Sequence, residues 1–339
     1  METLNIKDFI QNAKEALQGK NVRRLAVIHA GVTVAAGLLV TLLQYVLAEG
    51  IGNTGGLSGL GTRSILETFQ TVLQWANMVL LPFWNLGFLY VSLQWARGKT
   101  ADSRDLLKGF QRIGPCLGLM VNRSLLTLGV MIVAINIGST VYMMLPASGW
   151  LLELAQEQGN MDAFYDYLYS MDVNQILEMF RSMIPMLVIS AALLLVLLVP
   201  LLYRFRLAEY AILSHPGVRG FPAMVISAGL LRRRCWQMFK LDLQLWWYYG
   251  LKLLCVLLLY ADLLLGAVGF AVPSGDLTFL VTYLMYLASL FLVETFCRPQ
   301  VDTAYGLFYE KLAEMGPVQR KQVPPESRKL PWDEQQTNR

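Results

Sequence analysis

The residues with the most chemistry in this chain are few, and most of them fall in apolar surroundings. Asp262, Lys252 and Glu294 lie inside or at the ends of apolar runs near the C-terminal end. An ionisable group at membrane depth is costly, and by default it marks a functional position. The two apolar runs are joined by a turn centred between Ser274 and Gly275. Counting outward from it at 1.5 Å per residue puts Lys252 roughly 33 Å back along one helix and Glu294 roughly 29 Å along the next. At that matched depth, near the cytoplasmic boundary, the two are placed within reach of each other, and Arg298, one turn beyond Glu294, is a competing and less buried partner. By the same rise Asp262 falls roughly 19 Å from the turn, deep in hydrocarbon and level with Tyr286, whose hydroxyl is placed to donate to it. A proton or ion site and a hydrogen-bonded structural carboxyl both fit Asp262.

A second set is amidic. Gln70, Gln74, Asn77 and Asn85 fall on about one third of a helix circumference. Such a seam must face protein or water, either as the wall of a polar cavity or as interhelical hydrogen bonds worth about 0.6 kcal/mol each. Asn136, Ser139 and Thr140 raise the same choice, with helix packing favoured. A third set is cationic. Arg232, Arg233, Arg234 and Lys240, beside Trp236, suit contact with anionic lipid headgroups as well as anchoring of topology.

Other chemistries lack their parts. His29 and His215 are the only histidines and have no sequence-local nucleophile or carboxylate suggesting a triad. An aspartyl dyad needs two buried carboxyls, and Asp276 belongs to the short turn. Cys116, Cys235, Cys255 and Cys297 are scattered with no CxxC pair, so no disulfide, metal site or cofactor is expected. The net charge of +4, without basic stretches interleaved with aromatics, gives no sign of a nucleic-acid partner.

The elements that hold these residues follow from hydropathy. Hydrophobic residues make up 55% of the 339 and charged residues 15%, against about 25% charged in ordinary soluble domains. The apolar residues gather in runs near the length of about 20 that spans a bilayer as a helix. Six spans are expected, roughly 25–48, 70–95, 124–145, 183–204, 246–271 and 277–297. The fold class is therefore all-α, a polytopic membrane protein with six transmembrane helices plus amphipathic interfacial helices.

Residues 1–24 read as a cytoplasmic amphipathic helix in the membrane interface, with Ile6, Phe9, Ile10, Ala13 and Leu17 on one face. No small-residue cleavage site follows the first apolar run, so a signal peptide is not expected. Residues 25–315 form the transmembrane domain. Within it a stretch around 103–122 is amphipathic, with Leu106, Leu107, Phe110 and Ile113 on one side. The acidic, aromatic 146–182 segment reads as two or three short external helices, with Asp172 and Gln175 as a capping-box start. Residues 316–339, rich in proline, read as a disordered cytoplasmic tail.

Pro82, Pro185 and Pro200 are expected to kink or end helices. Trp84, Trp95, Trp236, Trp246, Trp247, Tyr248 and Tyr249 suit an aromatic belt at the bilayer edge. Basic segments preceding the first, third and fifth spans give a weak internal echo that ordinary flanking charge explains nearly as well.

Lys and Arg placement sets the orientation. Alternate flanks carry five, six, seven and seven basic residues, and the intervening ones carry one, one and none. That alternation puts both termini in the cytoplasm.

Several patches then carry a resemblance. They are Ala13 through Lys20, Asp105 through Phe110, Tyr210 through Leu213, His215-Pro216, Ser227, Leu230-Leu231, Trp236 through Leu243, and Pro299 through Thr303 with Ala304, Phe308 and Tyr309. Together they resemble a bacterial family of integral membrane proteins, the domain-of-unknown-function 975 family, over most of residues 1–315. The sequence departs from that family at Arg232-Arg233-Arg234, where a glycine-containing Lys-Gly step is expected. The architecture is also distantly similar to the membrane anchor of some glycerophosphodiester phosphodiesterases, whose catalytic domain has no counterpart in these residues. The resemblance implies a multi-helix protein of the bacterial cell membrane and brings no activity. The expectation is a non-enzymatic accessory or scaffold protein whose partners are membrane lipids and other membrane proteins. The alternative is a transporter or lipid-handling protein with a polar intramembrane cavity.

Overall fold

The computed structural model describes residues 5–53, 60–144, 172–215, 217–261 and 276–316. Every regular element among them is helical. The helices are α1 (Ile6–Leu17), α2 (Val22–Asn53), α3 (Leu60–Ala96), a 3₁₀ segment (Ser103–Arg112), α4 (Ile113–Met143) and α5 (Val173–Phe205). After these come α6 (Ala208–Ser214), α7 (Gly220–Leu231), α8 (Cys235–Gln244), α9 (Trp246–Leu259), α10 (Asp276–Phe296) and α11 (Arg298–Met315).

Four stretches are long and apolar enough to cross a bilayer: Val22–Leu47, Ser64–Ala96, Ser103–Met143 and Met183–Ser214. Leu280–Phe296 with Arg298–Met315, bent by 42° at their junction, makes a fifth if the pair is one span. Where a fifth span was expected at 246–271, α9 is a shorter apolar helix. The rest of that run, with Asp262, lies outside the described residues, as do most of the expected external segment and the C-terminal tail.

The long helices turn apolar side chains outward over most of their length. Leu39, Leu42, Tyr45, Val121, Leu125, Leu195 and Val196 are all exposed, the pattern of helices whose surroundings are as apolar as their contacts. Between α4 and α5 the contact goes through small residues. Ala134, Gly138 and Tyr142 form the buried line of α4, and Gly138 lies directly against Ser190 of α5. Asn136, Ser139 and Thr140 are not at that contact. They bond backbone carbonyls of their own helix, at Ile132 and Asn136.

Burial concentrates toward one end of the bundle. There the C-terminal half of α3, α6, α7, α8 and α11 share one core containing Phe83, Leu93, Ile212, Leu231, Leu241, Phe308 and Tyr309. Three local expectations change in this region. The apolar stripe of α1 is covered by protein, since Ile6, Phe9 and Ala13 are buried and the Phe9 ring meets Phe308 edge-on at 5.6 Å.

The 103–112 stretch winds as 3₁₀. Three residues per turn line up Leu106 and Gly109, which are buried, while Leu107 and Ile113 are exposed. An α-helical count groups those residues differently. Gly87 and Gly109 make this packing possible: a Cβ at Gly87 would fall on the Leu106 carbonyl, and one at Gly109 on the Phe83 carbonyl. The segment starts with a capping box in which Asp102 accepts from Ser103 N and donates its own N–H to Asp105.

The third change concerns helix ends. Pro82, Pro185 and Pro200 all lie inside helices and end none of them. Helix α5 starts directly after Asp172 and runs unbroken to Phe205, so the last part of the expected external segment is continuous with the fourth span. At its far end the chain breaks before α6, and Ser227 satisfies the freed groups: its hydroxyl accepts from Leu207 N at 3.1 Å and donates to Arg204 O at 2.8 Å.

Candidate functional site

The bend between α10 and α11 organises the charged side chains. Glu294 sits in the last turn of α10 and Arg298 opens α11, so one helical turn separates them across the bend. Glu294 Oε2 takes Arg298 Nη1 at 2.7 Å, and Glu294 Oε1 takes Lys252 Nζ of α9 at 2.8 Å. Arg298 also reaches Asp302 Oδ2 at 3.0 Å and Asn85 Oδ1 of α3 at 3.0 Å, with its guanidinium over the Phe88 ring. Of the two cations on Glu294, Arg298 is the more enclosed, with 13% of its side chain exposed against 39% for Lys252. This reverses the expected order. The cause is tertiary: α3 packs against α11 and covers Arg298, whereas the Lys252 ammonium lies over the Tyr248 ring near the surface.

A second cluster sits beside it. Arg206, just after α5, donates to Asp242 Oδ2 of α8 at 3.0 Å and to the Tyr305 hydroxyl of α11 at 2.8 Å. It also donates to the Tyr249 hydroxyl, and Tyr305 donates to the second oxygen of Asp242. Its guanidinium lies 4.9 Å from the centre of the Tyr305 ring. Tyr210 donates to the Asp302 carbonyl at 3.0 Å and ties α6 to the same helix. Further along α11, Glu310 accepts from Arg97, which also donates to Ser214.

Sequence reasoning did not single out Arg206, Asp242, Asp302, Tyr305 or the Arg97–Glu310 pair. One signal was available. Arg298, Asp302 and Tyr305 recur at spacings of four and three, which puts them on one helix face. Their partners lie on helices distant in sequence, and no local pattern points to them.

The three cations Lys252, Arg298 and Arg206 face the three carboxylates Glu294, Asp302 and Asp242, a formally neutral set. Such a set fixes helix positions and rotations. Every member of the set has an opposite charge within 3.0 Å.

The amide seam of α3 is divided among different surroundings. Gln74 is exposed, Asn77 lines an apolar groove of about 270 Å³ between α2 and α3, and Asn85 belongs to the Arg298 set. Tyr286 is half-buried with its ring 6.1 Å from Tyr283, and its expected partner Asp262 lies outside the described residues. His29 is buried and stacked on Trp84, whose indole donates to the His29 carbonyl. Among the described residues no three His, Cys, Asp or Glu side chains group closely enough to hold a metal ion.

The aromatic residues expected at the bilayer edge separate. Trp95 and Tyr248 are buried in the core, while Trp236 and Trp246 are largely exposed. Trp236 stacks on Phe239 at 5.1 Å and lies under the Lys240 ammonium. Arg232 and Arg233 are exposed on the turn just before it, and Arg234 is half-buried. Arg233 holds φ at 64°, in the left-handed region that favours glycine.

No family model, no curated protein and no solved structure matches the chain.

Proposed function

We propose that the chain is a non-enzymatic accessory or scaffold protein of the bacterial cytoplasmic membrane, related to the domain-of-unknown-function 975 family. In this reading it has six spans, with α9 opening the fifth and α10 forming the sixth, and both termini are cytoplasmic. The observation that carries the reading is the local closure of charge at the α10–α11 bend. Each ionised side chain there is held by an opposite charge, on a different element for every pair except Arg298–Asp302, which lies within α11. A transport pathway needs polar groups free to exchange partners with a solute, whereas a paired set resists movement and keeps a surface in one shape.

Orientation rests on the same end of the molecule. α1, α6 to α8 and α11 pack together and the 3₁₀ segment joins them through α3 and α4. These elements carry Lys7, Lys14, Arg104, Lys108, Arg112, Lys240, Arg298 and Lys311, basic residues that the positive-inside rule assigns to the cytoplasm. The outward row Trp236, Phe239, Leu243 and Trp246, with Arg232, Arg233 and Lys240 at its edge, suits a helix half-sunk in the interface with its cations at headgroup level.

A lipid-handling role is the second reading. The apolar groove between α2 and α3, lined by Val32, Ala36, Leu80 and Trp84, favours it because an acyl chain fits such a surface.

Reconstitution distinguishes the readings. Liposomes holding the chain and an internal pH dye should leak protons no faster than empty liposomes under an imposed pH gradient, and Asp262→Asn should change nothing. Purification in mild detergent should retain a stoichiometric protein partner, identified by mass spectrometry, in both forms. A proton flux that disappears in Asp262→Asn would overturn the scaffold reading in favour of transport.

A further inference from the structure

Between the α1–α2 turn and the α10–α11 bend lies a cavity of about 520 Å³, within the range of small-ligand sites. It is lined by Lys14, Lys20, Arg23 and Arg24 on one side and by Thr295 and Gln300 on the other, and no acidic residue is among its lining. Among the described residues none of the four cations has a carboxylate at ion-pair distance. The nearest charged set does not neutralise them, because Glu294 is already engaged by Lys252 and Arg298. Lys14, Arg23 and Arg24 are exposed and Lys20 is half-buried, so an anion seated in the cavity would be attracted by all four.

Two further observations point to an occupant. Thr295 lines the cavity, is only 5% exposed, and its hydroxyl is buried with no hydrogen-bond partner. A buried hydroxyl left unpaired is unfavourable. Lys20 gives its ammonium to the Trp95 carbonyl at 3.1 Å, and partial burial lowers its pKa from the ordinary lysine value.

We infer that this cavity binds the phosphate of an anionic phospholipid headgroup, held by Lys14, Arg23 and Arg24 with Lys20 and the Thr295 hydroxyl behind them. Depth selects the lipid over a soluble phosphate ester. The first candidate span begins at Val22 and the apolar run of α10 ends at Phe296, so the cavity opens where two spans reach the headgroup layer. Arginine forks match phosphate oxygens in pairs, and the exposed start of α2 leaves Arg23 and Arg24 free to turn toward them. The site is separate from the Arg232–Lys240 patch and from the paired charges of the bend.

The test uses the full chain purified in an uncharged detergent and titrated with dioctanoyl phosphatidylglycerol, dioctanoyl phosphatidylcholine or inorganic phosphate. Binding is read by native mass spectrometry and by the shift in thermal midpoint. Phosphatidylglycerol should bind and stabilise, and the other two should not. The double substitution Arg23→Gln/Arg24→Gln should weaken phosphatidylglycerol binding about tenfold or more, the loss of at least one charge-assisted bond. Thr295→Val, which keeps the shape and removes the hydroxyl, should weaken it several-fold while leaving the unliganded protein folded. Arg232→Gln/Arg233→Gln removes the same charge elsewhere and should leave binding within twofold. Equal binding by wild type and Arg23→Gln/Arg24→Gln, or an equal loss in Arg232→Gln/Arg233→Gln, overturns the site. Saturation by inorganic phosphate at similar concentration overturns the lipid as its occupant.

Discussion

Replacing Arg298 by glutamine tests whether the bend is held by enclosed charge. Its guanidinium contacts Glu294 at 2.7 Å, Asp302 at 3.0 Å and Asn85 at 3.0 Å, and only 13% of its side chain is exposed. Glutamine leaves Asp302 without its cation and Glu294 with one of two. Breaking an enclosed pair from one side costs about 3–5 kcal/mol, because the remaining charge stays buried. Lys252→Gln removes the other cation from the same carboxylate, at a nearly equal distance of 2.8 Å. With 39% of its side chain exposed, Lys252 is screened by solvent, and its loss should cost about 1 kcal/mol or less. Distance alone would make the two substitutions equal; enclosure separates them. Reversible unfolding of the purified chain in mixed micelles measures both. Double-mutant cycles with Glu294→Gln isolate the pair energies, and the Glu294–Arg298 coupling should exceed the Glu294–Lys252 coupling by at least about 1 kcal/mol. Equal couplings, or a larger cost for Lys252→Gln, would refute the reasoning.

Gly87→Ala and Gly109→Ala each force a methyl into the opposing backbone and should cost about 1–3 kcal/mol or more, seen as a lowered thermal midpoint. Gly129→Ala in α4, where a methyl meets nothing within 4 Å, should be neutral or slightly stabilising. Arg233→Gly should stabilise by about 1 kcal/mol by relieving the left-handed φ, while Arg233→Ala should not; equal midpoints for the two would count against backbone strain there. Ser227→Ala strands the Leu207 N–H and should cost about 1–3 kcal/mol, with protease sensitivity rising at the α5–α6 break. For topology, cysteines at Gly217 or Lys311 should resist a membrane-impermeant reagent applied outside the cell and one at Asp172 should react; labelling at Gly217 from outside would sink the six-span reading. Gly220 is a poor reporter, since its backbone packs on Gly118 and Leu119.

The all-helical class and the long apolar helices were legible in the sequence for one reason. Spanning a bilayer is a condition on consecutive residues, and a run such as 183–204 meets it without reference to any other part of the chain. The level of Lys252 with Glu294 was likewise countable, because helix rise converts sequence distance into depth. Rotation and lateral packing are not properties of one segment. Whether α1 turns its apolar stripe to lipid or to Phe308, whether Arg298 is covered by α3, and whether Leu107 points in or out each depend on a neighbour brought from elsewhere in the chain. The Arg206–Asp242–Tyr305 cluster joins three such segments, and the basic cavity joins residues 14–24 to 295–300. Hydropathy, summed along the chain, decides which helices are long and apolar enough to cross a bilayer. The pairing of charges was decided by helix rotation and close approach at Gly87, Gly109, Gly138 and Gly220, which only the folded bundle fixes.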